Sequence, residues 1–384
     1  MASLLDTFND LPDPRIERTR VHSLRDILVL TILAVICGAD GFVDVERFGH
    51  AKEEWLKTFL ELPHGIPSHD TIGRVFAALS PRAFADRFLA WVGTVSERLE
   101  GEVIAVDGKT VRRSMNGSKK LGPVHLVSAW AAQNRVVLGQ VKTGEKSNEI
   151  TAIPELLAAL DLHGCIVTID AMGCQKAIAA QIVEGGGDYL LALKDNHPKL
   201  RHEIEGFFHD GILTDFAGIA HDYAEERDAA HDRDELRRVW TSPDLDFLPE
   251  AAEWRGLKSL VCVEATRQQL GKEASVERRY YLCSLARPTA AQIAASVRAH
   301  WGIENRLHWV LDVAFREDEC RIRTGNAAEN FALVRRIALN LIKAETSAKV
   351  GVATRRKMAG WDHGYLLKIM AGPPAPTTPT RTGD

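Results

Sequence analysis

Two apolar stretches that each end in an aspartate decide the fold of this chain: VIAVDG at residues 103–108 and CIVTID at residues 165–170. Unbroken runs of Val, Ile and Ala are typical of strands that are buried on both faces of a sheet. Between them lie two strand-like segments, 125–132 and 135–141, and the short Gln133-Asn134 connection predicts that they form a hairpin. The sequence therefore predicts a sheet whose central strands are buried.

The region that follows alternates between helix and strand. Residues 148–160, capped by Asn148, and residues 173–184 have the apolar spacing of helices, and 189–193 is another apolar strand. The resulting order is β-β-β-α-β-α-β. It predicts an α/β fold over residues 101–198, with helices on both faces of the sheet.

The segments outside this core differ from it in composition and in the spacing of their apolar residues. Residues 1–100 predict a helical N-terminal domain, with helices at 24–37, 43–62, 68–79 and 81–99. Helices at 289–315 and 327–343 supply a second part of the core, residues 289–345. The last segment, 346–384, is a C-terminal tail that we expect to be partly disordered, because prolines are frequent from residue 373 onward.

Residues 199–288 are rich in His, Asp, Glu and Arg and read as a β-rich insertion. We expect its strands to lie outside the core sheet; the strand-like stretches are 236–241, 259–266 and 276–285. Trp240 and Trp254 have two interpretations, stacking on an unpaired DNA base or packing in a core, and core packing is the commoner role of tryptophan.

The bulk composition limits the class of protein. With 384 residues, of which 45% are hydrophobic and 26% charged, the chain is typical of globular proteins. Its longest apolar run, 27–39, is shorter than the roughly 20 residues that a membrane-spanning helix needs. The six cysteines are scattered without a C-x-x-C pair, which argues against a disulfide framework or a zinc ribbon and favours the reducing cytoplasm.

Positive charge is concentrated locally, although the net charge is −4. One basic segment without an acid contains Lys109, Arg112, Arg113, Lys119 and Lys120, and residues 321–357 hold nine Lys or Arg against two Glu. Each segment fits a solvated surface as well as it fits a phosphate-binding patch. The helices around the turn at 63–67 fit a helix-turn-helix with His69 and Arg74 facing outward, but an ordinary helical bundle is the simpler interpretation.

Asp107 and Asp170 are the first candidates for a functional site. A carboxylate at the end of a buried strand is costly unless it meets water, a partner or a cation, and two such carboxylates side by side favour a divalent cation. The third candidate, Glu304, belongs to a polar stripe formed by His300, Glu304, His308 and Asp312. Such a stripe is also typical of a solvent-facing helix, and its histidines would allow a zinc site, although the spacing is not H-E-x-x-H.

Six motifs spread over nearly the whole chain resemble those of the DDE transposases of bacterial insertion sequences, in particular the group of H-repeat-associated proteins. They are LPDPR at 11–15, IPSHDT at 66–71, DGKT at 107–110, EKSNEI at 145–150, TIDAMGCQ at 168–175 and HWGIEN at 300–305. The resemblance implies a ribonuclease-H-like mixed sheet with flanking helices and a β-rich insertion before the catalytic glutamate. It assigns the catalytic and metal-binding acids to Asp107, Asp170 and Glu304, with Mg²⁺ as cofactor and Mn²⁺ able to replace it.

The same resemblance implies DNA as the partner, both as the terminal inverted repeats of an element and as the target, with a dimer in the DNA complex and a nucleoid-associated location. The residues predicted to contact DNA are Lys109, Arg112, Arg113, Lys194, Asn196, Arg298 and His300. Related transposases carry Tyr, Arg and Lys at −7, −4 and +7 from the glutamate, where this chain has Val297, His300 and Leu311. His300, Arg298 and Arg306 are the candidates to replace the DNA contacts of that arginine and lysine.

The predicted function is a transposase that cleaves DNA at insertion-sequence ends and transfers the cut strand into target DNA by two-metal phosphoryl transfer. Two alternatives fit the same residues. One is a ribonuclease-H-like DNA nuclease without strand transfer, and the other is a non-catalytic DNA-binding protein descended from a transposase.

Overall fold

The computed structural model describes residues 4–96, 99–114, 122–144, 149–230, 233–269 and 273–372. Its strands are β1 (Val103–Val111), β2 (Val124–Ala131), β3 (Val136–Lys142), β4 (Ile166–Ile169), β5 (Asp188–Leu193), β6 (Asp222–Ala230), β7 (Arg233–Ser242), β8 (Ser259–Gln269) and β9 (Ser275–Cys283). They form one nine-stranded sheet in the order β3-β2-β1-β4-β5-β9-β8-β7-β6. The fold is therefore a mixed α/β fold.

The helices precede, interrupt and follow these strands. They are α1 (Leu4–Thr7), α2 (Leu24–Ile36), α3 (Phe42–Leu56), α4 (His69–Ala78), α5 (Pro81–Val95), α6 (Glu149–Ala158), α7 (Lys176–Glu184), α8 (Pro198–Leu213), α9 (Ala290–Ile303), α10 (Trp309–Phe315), α11 (Ala327–Ala344), α12 (Val352–Trp361) and α13 (His363–Ala371). None of the helices in the described ranges is long and apolar enough to cross a membrane.

The first five strands follow the predicted order. β2 and β3 form the expected antiparallel hairpin, β1 pairs with β2 in the antiparallel and with β4 in the parallel sense, and β5 continues parallel to β4. Helices α6 and α7 lie between β3, β4 and β5 in the chain, as predicted. The cap predicted for Asn148, and the basic residues Lys119 and Lys120, lie outside the described residues.

The prediction that the insertion stays outside the core sheet is wrong. β9 pairs with β5 in the antiparallel sense, so β6–β9 extend the central sheet. The reason is that β5 has a free edge after pairing with β4, and the apolar half of β9, with Tyr280 and Leu282, pairs along that edge and buries its side chains. β6 was not predicted because most of its residues are polar or charged, which suits a strand at the edge of a sheet.

The two faces of the sheet pack into different cores. Side chains alternate along β1, so Ile104 and Val106 join a core with α6, α7 and α8, whereas Ala105 joins a core with the N-terminal helices and α11. The second core contains residues of helices α2–α5, from the predicted N-terminal domain 1–100, together with residues of α10–α13. The predicted tail, 346–384, contains the helices α12 and α13, and its residues 373–384 lie outside the described residues.

The tryptophans of the insertion favour the core interpretation. Trp240 is 8% exposed and Trp254 is 2% exposed, and both belong to the core under α7 and α8. In this arrangement neither ring offers a face to a DNA base.

Candidate active site at the end of the β1–β4 ladder

The strand register brings the two aspartates together. The parallel ladder between β1 and β4 ends at the pair Val106 and Ile169, and Asp107 and Asp170 are the next residue on each strand. The prediction that Asp107 ends its strand is wrong, because β1 continues to Val111 by pairing with β2. Beyond the end of β4, one edge of β1 is therefore open at Asp107.

Glu304 reaches the same place from a distorted helix. α9 ends at Ile303, and a π-helical turn, Glu304–His308, connects it to α10, with the N–H of Trp309 donating to the carbonyl oxygen of Glu304. Such turns insert an extra residue into a helix and recur at functional sites. Asp107, Asp170 and Glu304 together line a pocket of about 180 Å³.

Burial and neighbouring acids both raise the pKa values of the two aspartates in this pocket. Burial raises the pKa of Asp107 to about 7, with further contributions from Asp170, Glu149 and Glu304. The pKa of Asp170 is also raised, by burial and then by Glu149, although backbone N–H donors and Lys194 partly oppose the shift. Carboxylates that resist ionisation in each other's presence are stabilised by a cation among them.

The donor set of the pocket fits a divalent metal ion. Its acids offer the hard oxygen ligands that Mg²⁺ and Mn²⁺ prefer, and the structure places no thiol in its lining. Over the described ranges, no three His, Cys, Asp or Glu side chains stand close enough to form a ready-made metal site. The three acids share a pocket, but their carboxylates would have to move closer together to hold an ion.

The Asp170 carboxylate is held by the turn that follows it. Its Oδ1 accepts from the backbone N–H of Met172 at 3.1 Å, as the cap of the short turn Ala171–Gly173. Asn196 fixes that turn from outside, donating its Nδ2 to the carbonyl oxygens of Ala171 and Cys174 at 2.7 and 3.3 Å. Asn196 thus has a structural role in this fold, and its predicted DNA contact stays a prediction.

Two histidines of the polar stripe face inward. The Nδ1 of His308 lies 3.4 Å from Oδ2 of Asp107, and the Nδ1 of His300 lies 3.0 Å from the hydroxyl of Thr168. Burial lowers the pKa of His300 to about 4 and that of His308 to about 3, so both rings are neutral at neutral pH. His300 also lines the pocket of the acids, and its predicted DNA contact stays a prediction.

Lys109, for which a DNA contact is predicted, has acidic partners within the protein. Its side chain is 8% exposed, and its Nζ donates to both oxygens of Asp312, at 2.7 and 2.9 Å, and to Asp318 at 3.2 Å. The ammonium group joins β1 to Asp312 within α10 and to Asp318 in the turn after it, and the predicted DNA contact of Lys109 stays a prediction. Asp312 is thereby accounted for, and Glu304 remains the acid of this helix that lines the pocket.

The other predicted DNA contacts lie at the surface. Arg112 is 80% exposed, although its Nε is 3.2 Å from Asp318, and Arg113 and Lys194 are also exposed. Lys194 lines the pocket of the acids. Arg298 is exposed and pairs with Glu226 of β6, beside a larger groove of about 980 Å³ that shares Glu304 with the pocket.

Sequence reasoning missed Glu149 and the role of His308. Glu149 begins α6 and influences both aspartates, but it lay inside a family motif to which no role had been assigned. His308 was recognised only as a member of the polar stripe. For Glu149 the available signal was an acid at a predicted helix start, a position that usually serves to stabilise the helix.

Comparisons with known proteins identify the family of this chain. The family model described as "Transposase DDE domain" matches residues 98–341, and the model described as "DDE_Tnp_1-associated" matches residues 5–92. A candidate transposase of Escherichia coli O157:H7, YncI, is 44% identical over 97% of this chain and 95% of its own length. The H repeat-associated candidate transposase YhhI of Escherichia coli (strain K12) is 42% identical over 97% of this chain and 98% of its own.

Among solved structures, the piggyBac transposase in its synaptic complex with hairpin DNA aligns with 93% of this chain and 74% of its own. The TM-score is 0.41 at 9% identity, and at that level the similarity adds nothing to the fold assignment. The predicted resemblance to the H-repeat-associated group is confirmed by the sequence comparisons.

Proposed function

The chain belongs to the family of DDE transposases, and from that premise we propose that it cleaves DNA at insertion-sequence ends and transfers the cut strand into target DNA. The observation that carries the proposal is the convergence of Asp107, Asp170 and Glu304 on one pocket at the end of the β1–β4 ladder. These acids come from three separate parts of the chain, and packing for stability alone would not favour placing them together.

We propose further that the core is ribonuclease-H-like. The order β3-β2-β1-β4-β5, in which β2 alone runs against the other strands, supports this assignment, because it is the strand order of ribonuclease H. The core would then comprise residues 101–198 and 289–345, with residues 199–288 as an insertion that extends its sheet.

Asp107, Asp170 and Glu304 would hold two Mg²⁺ ions, which Mn²⁺ can replace. When bound, the ions supply an activated nucleophile and neutralise charge on the scissile phosphate. The backbone N–H of Met172 orients the Asp170 carboxylate, and the His308 imidazole lies beside the carboxylate of Asp107. Lys194, which is exposed and lines the pocket, would bind the phosphate of the DNA strand next to the acids.

DNA would approach along the exposed basic residues near the pocket. Arg112 and Arg113 extend from the end of β1 into solvent, and Arg306 is exposed in the π-helical turn, two residues after Glu304. Guanidinium groups at such positions bind phosphate oxygens without reading sequence. We propose that the chain acts as a dimer bound to the two ends of the element. This reaction would take place in the bacterial cytoplasm.

The test is cleavage of a duplex that carries the element's own ends, with Mg²⁺ and with EDTA, followed by a strand-transfer assay with supercoiled target DNA. We expect Mg²⁺-dependent cleavage and joining, both lost in Asp107→Asn. Cleavage without joining would favour a nuclease. Sequence-specific binding without cleavage, in the presence of either Mg²⁺ or Mn²⁺, would favour a non-catalytic DNA-binding protein and contradict the proposal.

A further inference from the structure

A fourth carboxylate, that of Glu149, stands beside the acids of the proposed active site. We propose that Glu149 is a further metal-binding residue, which holds a divalent cation together with Asp107 and Asp170. The inference rests on the proposed function, since it concerns the same ion, and it assigns to α6 a role that the three-acid description leaves out.

The first observation is the contact between Glu149 and Gly108, the residue that follows Asp107. A Cβ atom built on Gly108 would lie 1.9 Å from Oε1 of Glu149 and 2.7 Å from Nε2 of His125. Any side chain at position 108 would therefore force Glu149 away from β1. The glycine of the DGKT motif provides the space that lets this carboxylate lie against the strand next to Asp107.

The second observation is that the Glu149 carboxylate is held in place. Oε1 of Glu149 lies 2.7 Å from Nε2 of His125, and Nδ1 of that ring lies 2.8 Å from the hydroxyl of Thr110. Thr110 and His125 are paired neighbours on β1 and β2. With the threonine hydroxyl donating to Nδ1, the ring donates its other N–H to Oε1, and Oε2 is left for another partner. Imidazole–carboxylate pairs of this kind orient metal ligands in many proteins.

The third observation is that α6 also contacts the segment of Asp170. Ile153, one turn after Glu149, packs so closely on the turn Ala171–Gly173 that a Cβ on Gly173 would lie 3.0 Å from its Cδ1. The beginning of α6 thus lies between the backbone at Asp107 and the turn after Asp170. The charge of Glu149 accordingly contributes to the raised pKa of both aspartates.

The alternative is that Glu149 only supports His125 and the local packing. The Glu149 side chain is only 12% exposed, and the contact with the His125 ring pairs only one of its two oxygens. A cation shared with Asp107 and Asp170 would pair the second oxygen and relieve the repulsion among the three acids.

The test compares Glu149→Gln with Glu155→Gln in the full chain. Glu155 is an exposed acid on the same helix, so it is a matched control. Mn²⁺ binding is measured by calorimetry, and thermal unfolding is followed in EDTA and in Mn²⁺. We expect Glu149→Gln to weaken Mn²⁺ binding at least about tenfold, to raise Tm in EDTA because a like charge is lost, and to reduce the rise in Tm on adding Mn²⁺. Glu155→Gln should match the wild type in all three.

A wild-type Kd for Mn²⁺ in Glu149→Gln, with Asp107→Asn impaired, would overturn the proposal for Glu149 and leave the proposed function intact. If calorimetry detects no Mn²⁺ binding to the wild-type protein, both the proposal for Glu149 and the proposed function are overturned. If Glu149→Gln does not fold, Glu149→Asp replaces it: the shortened carboxylate is expected to weaken Mn²⁺ binding, and an unchanged Kd is again the contrary result.

Discussion

Asp107 combines two properties that a substitution can separate: it lies among like charges, and in the proposed reaction it acts on DNA only through the metal. Asp107→Ala should abolish cleavage and leave DNA binding nearly intact. Without Mg²⁺, binding should tighten, because one negative charge leaves a site that faces phosphate. Electrophoretic mobility shifts in EDTA, with circular dichroism as a check on folding, measure this. Loss of binding together with cleavage, in a folded protein, would mean that the acid belongs to the DNA-docking surface.

Lys109 and Arg112 are close in sequence but should respond oppositely to substitution. Arg112→Ala, and equally Arg113→Ala, should weaken binding to all DNA sequences and reduce the slope of log K against log salt by about one unit per phosphate contact. Lys109→Met should leave that slope unchanged and reduce the free energy of unfolding by about 1–3 kcal/mol, because Asp312 and Asp318 lose their partner. Salt titrations and urea unfolding of the variants decide. A reduced salt slope in Lys109→Met would mean that Lys109 contacts DNA, as predicted from the sequence.

The acids were predictable from the sequence, but the roles of the basic and amide residues around them were not. Asp107 and Asp170 could be paired because strand ends in a parallel sheet share an edge. The partners of Lys109, by contrast, are more than 200 residues away in the chain. Whether a cation near an active site faces DNA or an internal acid depends on tertiary packing, and charge patterning alone does not contain that information.

At the scale of elements, the π-helical turn that carries Glu304 has a side-chain support that can be removed. Lys343 of α11 donates to the carbonyl oxygen of Arg306 at 2.6 Å, and its Nζ lies 4.1 Å from the ring centre of Trp130 on β2. Burial lowers the pKa of Lys343 to about 7. Lys343 thus ties the turn to the sheet that bears Asp107.

Lys343→Met should therefore let the turn relax towards a regular α-helix and rotate Glu304 away from the aspartates. We expect weaker Mn²⁺ binding and slower cleavage with little change in DNA affinity, and partial recovery in Lys343→Arg, which keeps a donor. Calorimetry with Mn²⁺ and single-turnover cleavage are the measurements. Equal Mn²⁺ affinity in Lys343→Met and the wild type would show that the turn does not need this contact.

The elements themselves divide by how local their signals are. The alternation of apolar strands and helices from β1 to β5 predicted their order, and Ser23 caps α2 as the sequence indicated. The π-helical turn was invisible because it depends on packing between α9, α10 and α11. The pairing of β9 with β5 joins residues about 90 positions apart, and no periodicity within either strand reports on such a partner.

At the scale of the whole molecule, the N-terminal helices share one core with the C-terminal helices. Asn330 of α11 donates to the carbonyl oxygens of Phe76 and Leu79, and Phe331 packs on Phe42 and Phe76. The N-terminal helices are thereby fixed to the helix that supports the π-helical turn. Changes in sequence pattern marked where helical segments give way to strand-rich segments. Which segments pack into one core depends instead on contacts between residues far apart in the chain.

The charge of the acid pocket should make the stability of the whole protein depend on pH in opposite ways without and with metal. In the absence of metal the pKa of Asp107 is raised from 3.8 to about 7 in the folded state, so the folded state binds a proton more tightly than the unfolded state. The stability from this proton is fully present below pH 3.8 and is lost as pH rises through about 7. Metal binding instead requires the ionised carboxylate and strengthens over the same range.

Tm in EDTA should consequently fall between pH 5 and pH 8 more steeply in the wild type than in Asp107→Asn, because the asparagine has no proton to lose. The rise in Tm on adding Mn²⁺ should be larger at pH 8 than at pH 5 in the wild type and small at both values in the variant. Differential scanning fluorimetry of the two proteins in matched buffers measures both slopes. Parallel curves for wild type and variant in EDTA would mean that Asp107 is already ionised in the folded protein, and that the repulsion among the acids is relieved before any metal binds.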